Sequence, residues 1–193
     1  MKAWQFESYG PYHEVLKWSE REMPIAKTDT AIVKTSAVSL NFPDLLVCQG
    51  LYQVKTPLPA VPGVERIGIV ESAGPSSKFQ AGDRVAGFCH GGGTLAEYFA
   101  VTNNSAWLVP DFVSDEAGAA LSVTYGTSYF GLAHRAHLQV GETLLVLGGA
   151  GGVGLAAIQL GKLMGATVIA AVGSQKKMEV CLNQGADHVI NYK

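Results

Sequence analysis

The chain has 193 residues, enough for one large domain or two small ones, and 48% hydrophobic against 16% charged residues argues against long disorder. A net charge of -2 with no Lys/Arg run argues against nucleic acid as a partner. The three scattered cysteines, Cys48, Cys89 and Cys181, offer no disulfide framework and fit a reducing, cytoplasmic setting, and the first ten residues carry no apolar signal core.

The first part of the chain reads as short strands between turns. Met1–Phe6 is an opening strand, and the β-branched run Thr30–Val38 is a second. Arg66–Ala73 alternates in the same way and stops at the turn signal Gly74-Pro75. Val61-Pro62-Gly63 is loop. Arg84–Cys89 and Leu95–Val101 are two further strands around Gly91-Gly92-Gly93. Regular short strands with Gly/Pro punctuation predict a compact, barrel-like β domain.

The pattern changes near Ser114, where Ser114-Asp115-Glu116 is a helix-start signal. Gly126 to Leu138 is expected to be a helix crossing between domains. A β–α–β pattern follows: strand Thr143–Leu147, helix Val153–Met164 ending near Gly165, and strand Thr167–Ala171. Then come helix Lys176–Gln184, Gly185 and the start of a strand at His188–Asn191. The uncharged stretch 143–161 has the length of a membrane span, but its glycines fit a strand–turn–helix instead, so no membrane partner is expected. A dinucleotide-binding domain uses two β–α–β–α–β halves, and only the first is legible. The expectation is a truncated nucleotide-binding domain with one uncovered sheet edge.

Between strand and helix lies GGAGGVG, Gly148 to Gly154, containing G-x-G-x-x-G as Gly149, Gly151 and Gly154. In this motif the first glycine is assigned the sharp turn. The second lets backbone approach a pyrophosphate, and the third lets helix pack on strand. The helix N-terminus supplies free N–H groups and a partial positive charge. About twenty residues on, an NAD site would place an acid, yet the chain reads Ile169-Ala170-Ala171-Val172-Gly173-Ser174, followed by Lys176 and Lys177. A hydroxyl and two ammonium groups attract a 2′-phosphate, so the expected cofactor is NADPH.

The stretches NFPDLLVCQGLYQ, PAVPGVERIGIVESAG, AGDRVAGF, SVTYGTSYFGL, VGETLLVLGGAGGVGLAAIQLGKLMGATVIAAVGS and LNQGADHVINY carry a resemblance that runs through nearly the whole chain. It resembles the medium-chain dehydrogenase/reductase superfamily, in particular the quinone oxidoreductase (zeta-crystallin-like) branch. The resemblance implies an α/β protein: a GroES-like β-barrel domain over residues 1–125, then a truncated Rossmann domain, a doubly wound parallel sheet, over 126–193. It places the active site in the cleft between them. By position, Asn41 and Asp44 are implied to line that cleft, and Tyr52 of the G-x-Y segment to flank the substrate pocket. Thr127 is implied near the nicotinamide, Gly151, Gly152, Val153 and Gly154 at the phosphates, and Ser174, Lys177 and Tyr192 around the adenosine 2′-phosphate. The plainer readings stand beside these: Asp44 as a loop tie, Tyr52 as packing, Thr127 as a helix cap.

The departures bear on zinc. Where zinc alcohol dehydrogenases carry a ligand cysteine and a ligand histidine, this chain has Asn41 and Val64. A catalytic zinc needs three protein ligands, and three cysteines in total cannot build a four-cysteine lobe. Cys89-His90 reads as loop, so no metal is expected. Without a Lewis acid, hydride reduction of an activated acceptor is the expected chemistry: a quinone or an α,β-unsaturated carbonyl, with Asn41 and Tyr52 placing the substrate oxygen. An enoyl reductase of lipid or polyketide type stays open, as does a non-catalytic NADPH-binding protein or an inactive fragment. A family-like homodimer is expected only of a complete chain.

Overall fold

The protein, described here by a computed structural model, is defined over residues 1–89 and 92–193. Its chain separates into two units, Met1–Ala120 and Leu121–Lys193. Among the described residues, no helix is long and apolar enough to cross a membrane.

The first unit is β-rich. Its elements are β1 (Lys2–Gln5), α1 (Tyr12–Val15), β2 (Lys17–Glu20), β3 (Thr30–Val38), α2 (Phe42–Gln49), β4 (Glu65–Ala73), β5 (Arg84–Phe88), β6 (Tyr98–Thr102), β7 (Ala106–Leu108) and α3 (Asp115–Ala119). β1 and β2 form an antiparallel ribbon whose register puts Trp4 opposite Trp18. The other strands form one antiparallel sheet in the order β6-β3-β4-β5-β7. The β3/β4 register shifts between Ile32 and Val33 and again between Thr35 and Ala37. Such irregularities bend a strand, and here the sheet curls into a half-barrel.

The curled sheet is buried on both faces. One face packs Ala31, Val33, Val70, Val85, Phe99 and Val101 with Phe79. The other packs Ile67 and Ala86 against Ala119 of α3, whose N-cap Ser114 accepts from the Ala117 amide as its sequence predicts. A separate cluster of Phe6, Val47, Cys48 and Ala60 seats α2. That helix is absent from the sequence reading. Pro43 reads as a breaker, but it occupies the first turn, where a missing N–H costs nothing. The strand read at Leu95–Val101 starts only at Tyr98, because Ala96 makes an isolated bridge to Ala3 instead.

The second unit comprises α4 (Leu121–Tyr129), a π-helical turn over Phe130–Arg135, β8 (Thr143–Leu147), α5 (Gly152–Leu163), β9 (Thr167–Val172), α6 (Gln175–Asn183) and β10 (His188–Asn191). The three strands are parallel in the order β10-β9-β8. β9 is central and buries Val168, Ala170 and Val172 against Ile158 of α5 and Cys181 of α6. This is the first half of a Rossmann-type sheet, joined by helical crossovers as parallel strands require. The helix expected over Gly126–Leu138 begins instead at Leu121 and widens to π geometry at Phe130. No cap signal marks that start in the sequence.

Candidate functional site

The chemically equipped residues fall into two groups, one in each unit. In the first, Asn41 is the N-cap of α2 and Asp44 its third residue. Asp44 Oδ2 accepts from the Asn41 amide at 2.7 Å, the reach-back limb of a capping box. The Asn41 side chain turns the other way. Its Nδ2 donates to Glu65 Oε1 at 2.9 Å and to Ser39 Oγ at 3.2 Å, and the Ser39 hydroxyl donates to the same Glu65 oxygen. Both side-chain donors of Asn41 are therefore spent inside the protein.

Glu65 is fully buried at the start of β4, and Asp44 is 4% exposed. Burial pushes the Asp44 carboxyl up. The amides of Asn41 and Gly63 pull it down, and the Glu65 charge pushes it up again. Asn41 and Asp44 line a pocket of about 480 Å³ whose other walls include Tyr12, Leu40, Phe42 and Pro62. Tyr52 is half-buried against the Phe6/Val47/Cys48/Ala60 cluster and does not line that pocket. The structure thus brings Asn41 and Asp44 together, with Tyr52 packed on the cluster that seats α2. Ser39 and Glu65 complete the network unannounced, since a buried Glu reads in a sequence like a solvated one.

In the second unit, the loop after β8 carries the glycine motif. The left-handed residue is Gly148, at φ +64°, so the sharp turn lies one residue before the motif's first glycine. Gly149 is glycine for a different reason: a Cβ there would stand 2.9 Å from Ala170 Cβ of β9. A Cβ on Gly154 would stand 2.6 Å from the Gly148 carbonyl, so that glycine seats the helix on its own loop, as expected. At Gly151 the nearest atom would be 3.5 Å away, and the position is open. Gly151 is also the N-cap of α5 and brings no capping side chain. The first-turn amides of Gly152, Val153 and Gly154 therefore have neither an intrahelical acceptor nor a side-chain cap, an arrangement that could hold a phosphate. α4 steadies it: Ser128 Oγ donates to the Val153 carbonyl at 2.8 Å. Thr127, beside Ser128, is exposed in the interior of α4 and caps nothing.

Ser174, Lys177 and Tyr192 converge at the end of β9. Ser174 is the N-cap of α6, and its Oγ accepts from the Lys177 amide. The Tyr192 amide donates to Val172 O at 3.1 Å. A Cβ on Gly173 would lie 3.3 Å from the Tyr192 ring and 3.2 Å from Lys193 Cδ. Lys193 is thus a further cation at this edge that the sequence reading passed over. No acid of β9 or its following turn stands there. Both halves of the implied cofactor contact, an open helix N-terminus and a cationic edge two residues beyond β9, fit a phosphorylated dinucleotide. Among the described residues no group of three His, Cys, Asp or Glu could hold a metal; His90, of the Cys89-His90 pair, lies outside the described residues.

Residues 27–111 match the alcohol dehydrogenase GroES-like domain family, and residues 152–193 match the zinc-binding dehydrogenase family. A quinone oxidoreductase of Pongo abelii is 36% identical over 97% of this chain and 57% of its own length. A quinone oxidoreductase-like protein 2 of Bos taurus is 43% identical over 79% of this chain and 44% of its own. Among solved structures, a probable oxidoreductase from Mycobacterium abscessus superposes with a TM-score of 0.92 at 42% identity, covering 100% of this chain and 62% of that one. The Escherichia coli quinone oxidoreductase complexed with NADPH gives 0.89 at 31% identity, covering 100% and 59%. The chain spans about half the length of the curated relatives it matches. Both family matches, the relatives along the chain and the superpositions agree with the half-barrel and the partial Rossmann sheet: the chain belongs to the medium-chain dehydrogenase/reductase superfamily as a quinone oxidoreductase-like protein.

Proposed function

We propose that the protein is an NADPH-dependent oxidoreductase that delivers hydride to a quinone or an α,β-unsaturated carbonyl without zinc. The observation that carries this reading is the uncapped N-terminus of α5 beside the acid-free end of β9. A dinucleotide pyrophosphate satisfies the free amides of Gly152, Val153 and Gly154, and Gly151 gives it room. Ser174, Lys177 and Tyr192 receive the adenosine 2′-phosphate, which an Asp or Glu in that place would repel. Thr127 flanks the nicotinamide end.

The bound nicotinamide supplies the hydride, and the chain's own groups bind, orient and exclude water. Asn41 and Asp44 act through the α2 N-terminus: their mutual hydrogen bonds and Glu65 keep one wall of the 480 Å³ pocket rigid. Tyr52 supports that wall from behind. With both its side-chain donors committed, Asn41 gives the acceptor oxygen no hydrogen bond, which suits a quinone or conjugated enone more than an unactivated ketone. Zinc independence is supported by Asn41, whose amide is locked in this network, and by Val64, a buried apolar side chain. The acceptor is a small hydrophobic carbonyl compound.

Solved relatives include quinone oxidoreductases in complex with NADPH and one NAD-dependent alcohol dehydrogenase, so the cofactor is the first point to test. Calorimetric titration with NADPH and with NADH should show preference for NADPH, and Lys177→Glu should abolish that preference while leaving NADH binding as it was. Equal or tighter NADH binding by the unaltered protein overturns the assignment. Acceptor profiling with quinones against enoyl thioesters then separates a quinone reductase from an enoyl reductase.

A further inference from the structure

Strand alternation places Arg66 on the same face of β4 as Gly68 and Val70, the face that packs Phe99 inside the half-barrel. A cation there is out of keeping with its neighbours. Arg66 is only 2% exposed, and its guanidinium lies over the ring of Phe99. Nη1 donates to the Gly93 carbonyl at 2.8 Å, while Nε is buried with no hydrogen-bond partner. Among the described residues no carboxylate pairs with it. Cys89 is nearby, but its thiol donates to the Gly92 carbonyl at 2.8 Å. A buried cation left without a charged partner is costly. Burial pushes the guanidinium well below its usual range, with Cys89 acting in the opposite sense.

Arg66 and Cys89 both line a cavity of about 280 Å³ that shares no lining residue with the Asn41–Asp44 pocket. Its walls are largely apolar, with Pro57, Pro59 and Val61 among them, and none of the described residues that line it is Asp or Glu. Arg21 adds a second cation at the exposed side. A guanidinium with only Nη1 spent keeps further donors, and its planar fork matches the two oxygens of a carboxylate. A phosphate dianion would need more donors than one buried arginine supplies. The apolar walls suit the hydrocarbon part of the same ligand.

We propose that this cavity is a second small-molecule site, one that binds a carboxylic acid with a short acyl or single-ring body through the guanidinium of Arg66. The site lies entirely within the first unit and does not depend on the cofactor reading.

Cys89 serves as the reporter, because it is half-exposed in the cavity wall whereas Cys48 and Cys181 are buried. The experiment measures the rate of Cys89 labelling by iodoacetamide, read by peptide mass, at matched ionic strength with sodium benzoate, benzamide or sodium phosphate. Benzoate should slow labelling several-fold and raise Tm, as a ligand of the native state must. Benzamide and phosphate should do neither. In R66M both benzoate effects should vanish, and Met, being apolar and of similar length, leaves the core filled. R66K, which keeps a charge but loses the fork, gives a second reading and should retain little of the protection. Equal labelling with benzoate and benzamide, equal protection by phosphate, or full protection surviving in R66M or R66K overturns the assignment.

Discussion

The two candidate regions are built on opposite plans. Around Asn41 and Asp44, side chains do the work and bond to one another, Asp44 Oδ2 to the Asn41 amide and Asn41 and Ser39 to Glu65, while Asp44 Oδ1 is buried without a hydrogen-bond partner. Around Gly148–Gly154, side chains are removed, and what remains is backbone held in place with its donors unspent. The first region is a rigid wall. The second is an unfilled set of hydrogen-bond donors, which gains only when a ligand arrives. Mutations should therefore damage the first mainly through stability, and the second through binding, except where a glycine is glycine for packing.

Gly154 is that exception and gives the largest effect. In Gly154→Ala the new Cβ meets only backbone, the Gly148 carbonyl at 2.6 Å and Gly149 Cα at 2.8 Å. Loop and helix must part, so NADPH binding should be lost, with about 3 kcal/mol of unfolding free energy lost in urea. Next is Asp44→Ala, which leaves the Asn41 amide without its acceptor in a buried place and should cost about 2 kcal/mol. Trp4, Trp18 and Trp107 all lie in the first unit, so tryptophan fluorescence reads that loss separately from helix signal in the second.

Gly151→Ala sharpens the contrast. With only the Gly148 carbonyl at 3.5 Å, the methyl group is accommodated, and stability should change by less than about 0.5 kcal/mol. NADPH affinity should nevertheless fall roughly tenfold, about 1.4 kcal/mol, because the methyl stands where pyrophosphate approaches. If Gly151→Ala and Gly154→Ala prove alike in urea, the division between packing glycines and ligand glycines is broken.

The two units should also lean opposite ways with pH. Burial raises the Asp44 carboxyl in the folded state, so its contribution is full below the ordinary value of 3.8 and is lost as pH rises through the raised one. Asp187 is lowered, first by the Lys162 hydrogen bond and then by the Val168 amide. Its contribution is present above the ordinary value and is lost as pH falls through the folded one. Asp44→Asn should therefore gain on the unaltered protein as pH rises out of the acid range, and Asp187→Asn should flatten the acid limb of the helix signal. The smallest effect is expected of Ser174→Ala. Its bond to the Lys177 amide is long, at 3.4 Å, and losing the cap should cost about 0.5 kcal/mol, with a modest loss of NADPH preference.

The sequence by itself determined the local grammar of the fold. Strands Thr143–Leu147 and His188–Asn191 and the long strand Thr30–Val38 were legible from apolar and β-branched runs. The Ser114 cap and the glycine loop between strand and helix were legible as well, because each depends on residues a few positions apart. Asn41 and Asp44 could be singled out through family likeness, and their three-residue spacing makes the capping contact local. Tertiary structure decided the rest. Gly149 owes its identity to Ala170, over twenty residues away, so only the folded sheet shows that Gly148 makes the turn while Gly149 makes the room. Tyr52 packs on the cluster that seats α2, because Phe6 and Ala60 come from distant segments to meet it. Glu65 and Arg66 look like ordinary surface charges in the chain. The curl of the sheet buries both, and burial, which depends on every neighbour at once, is the property that a local pattern carries least.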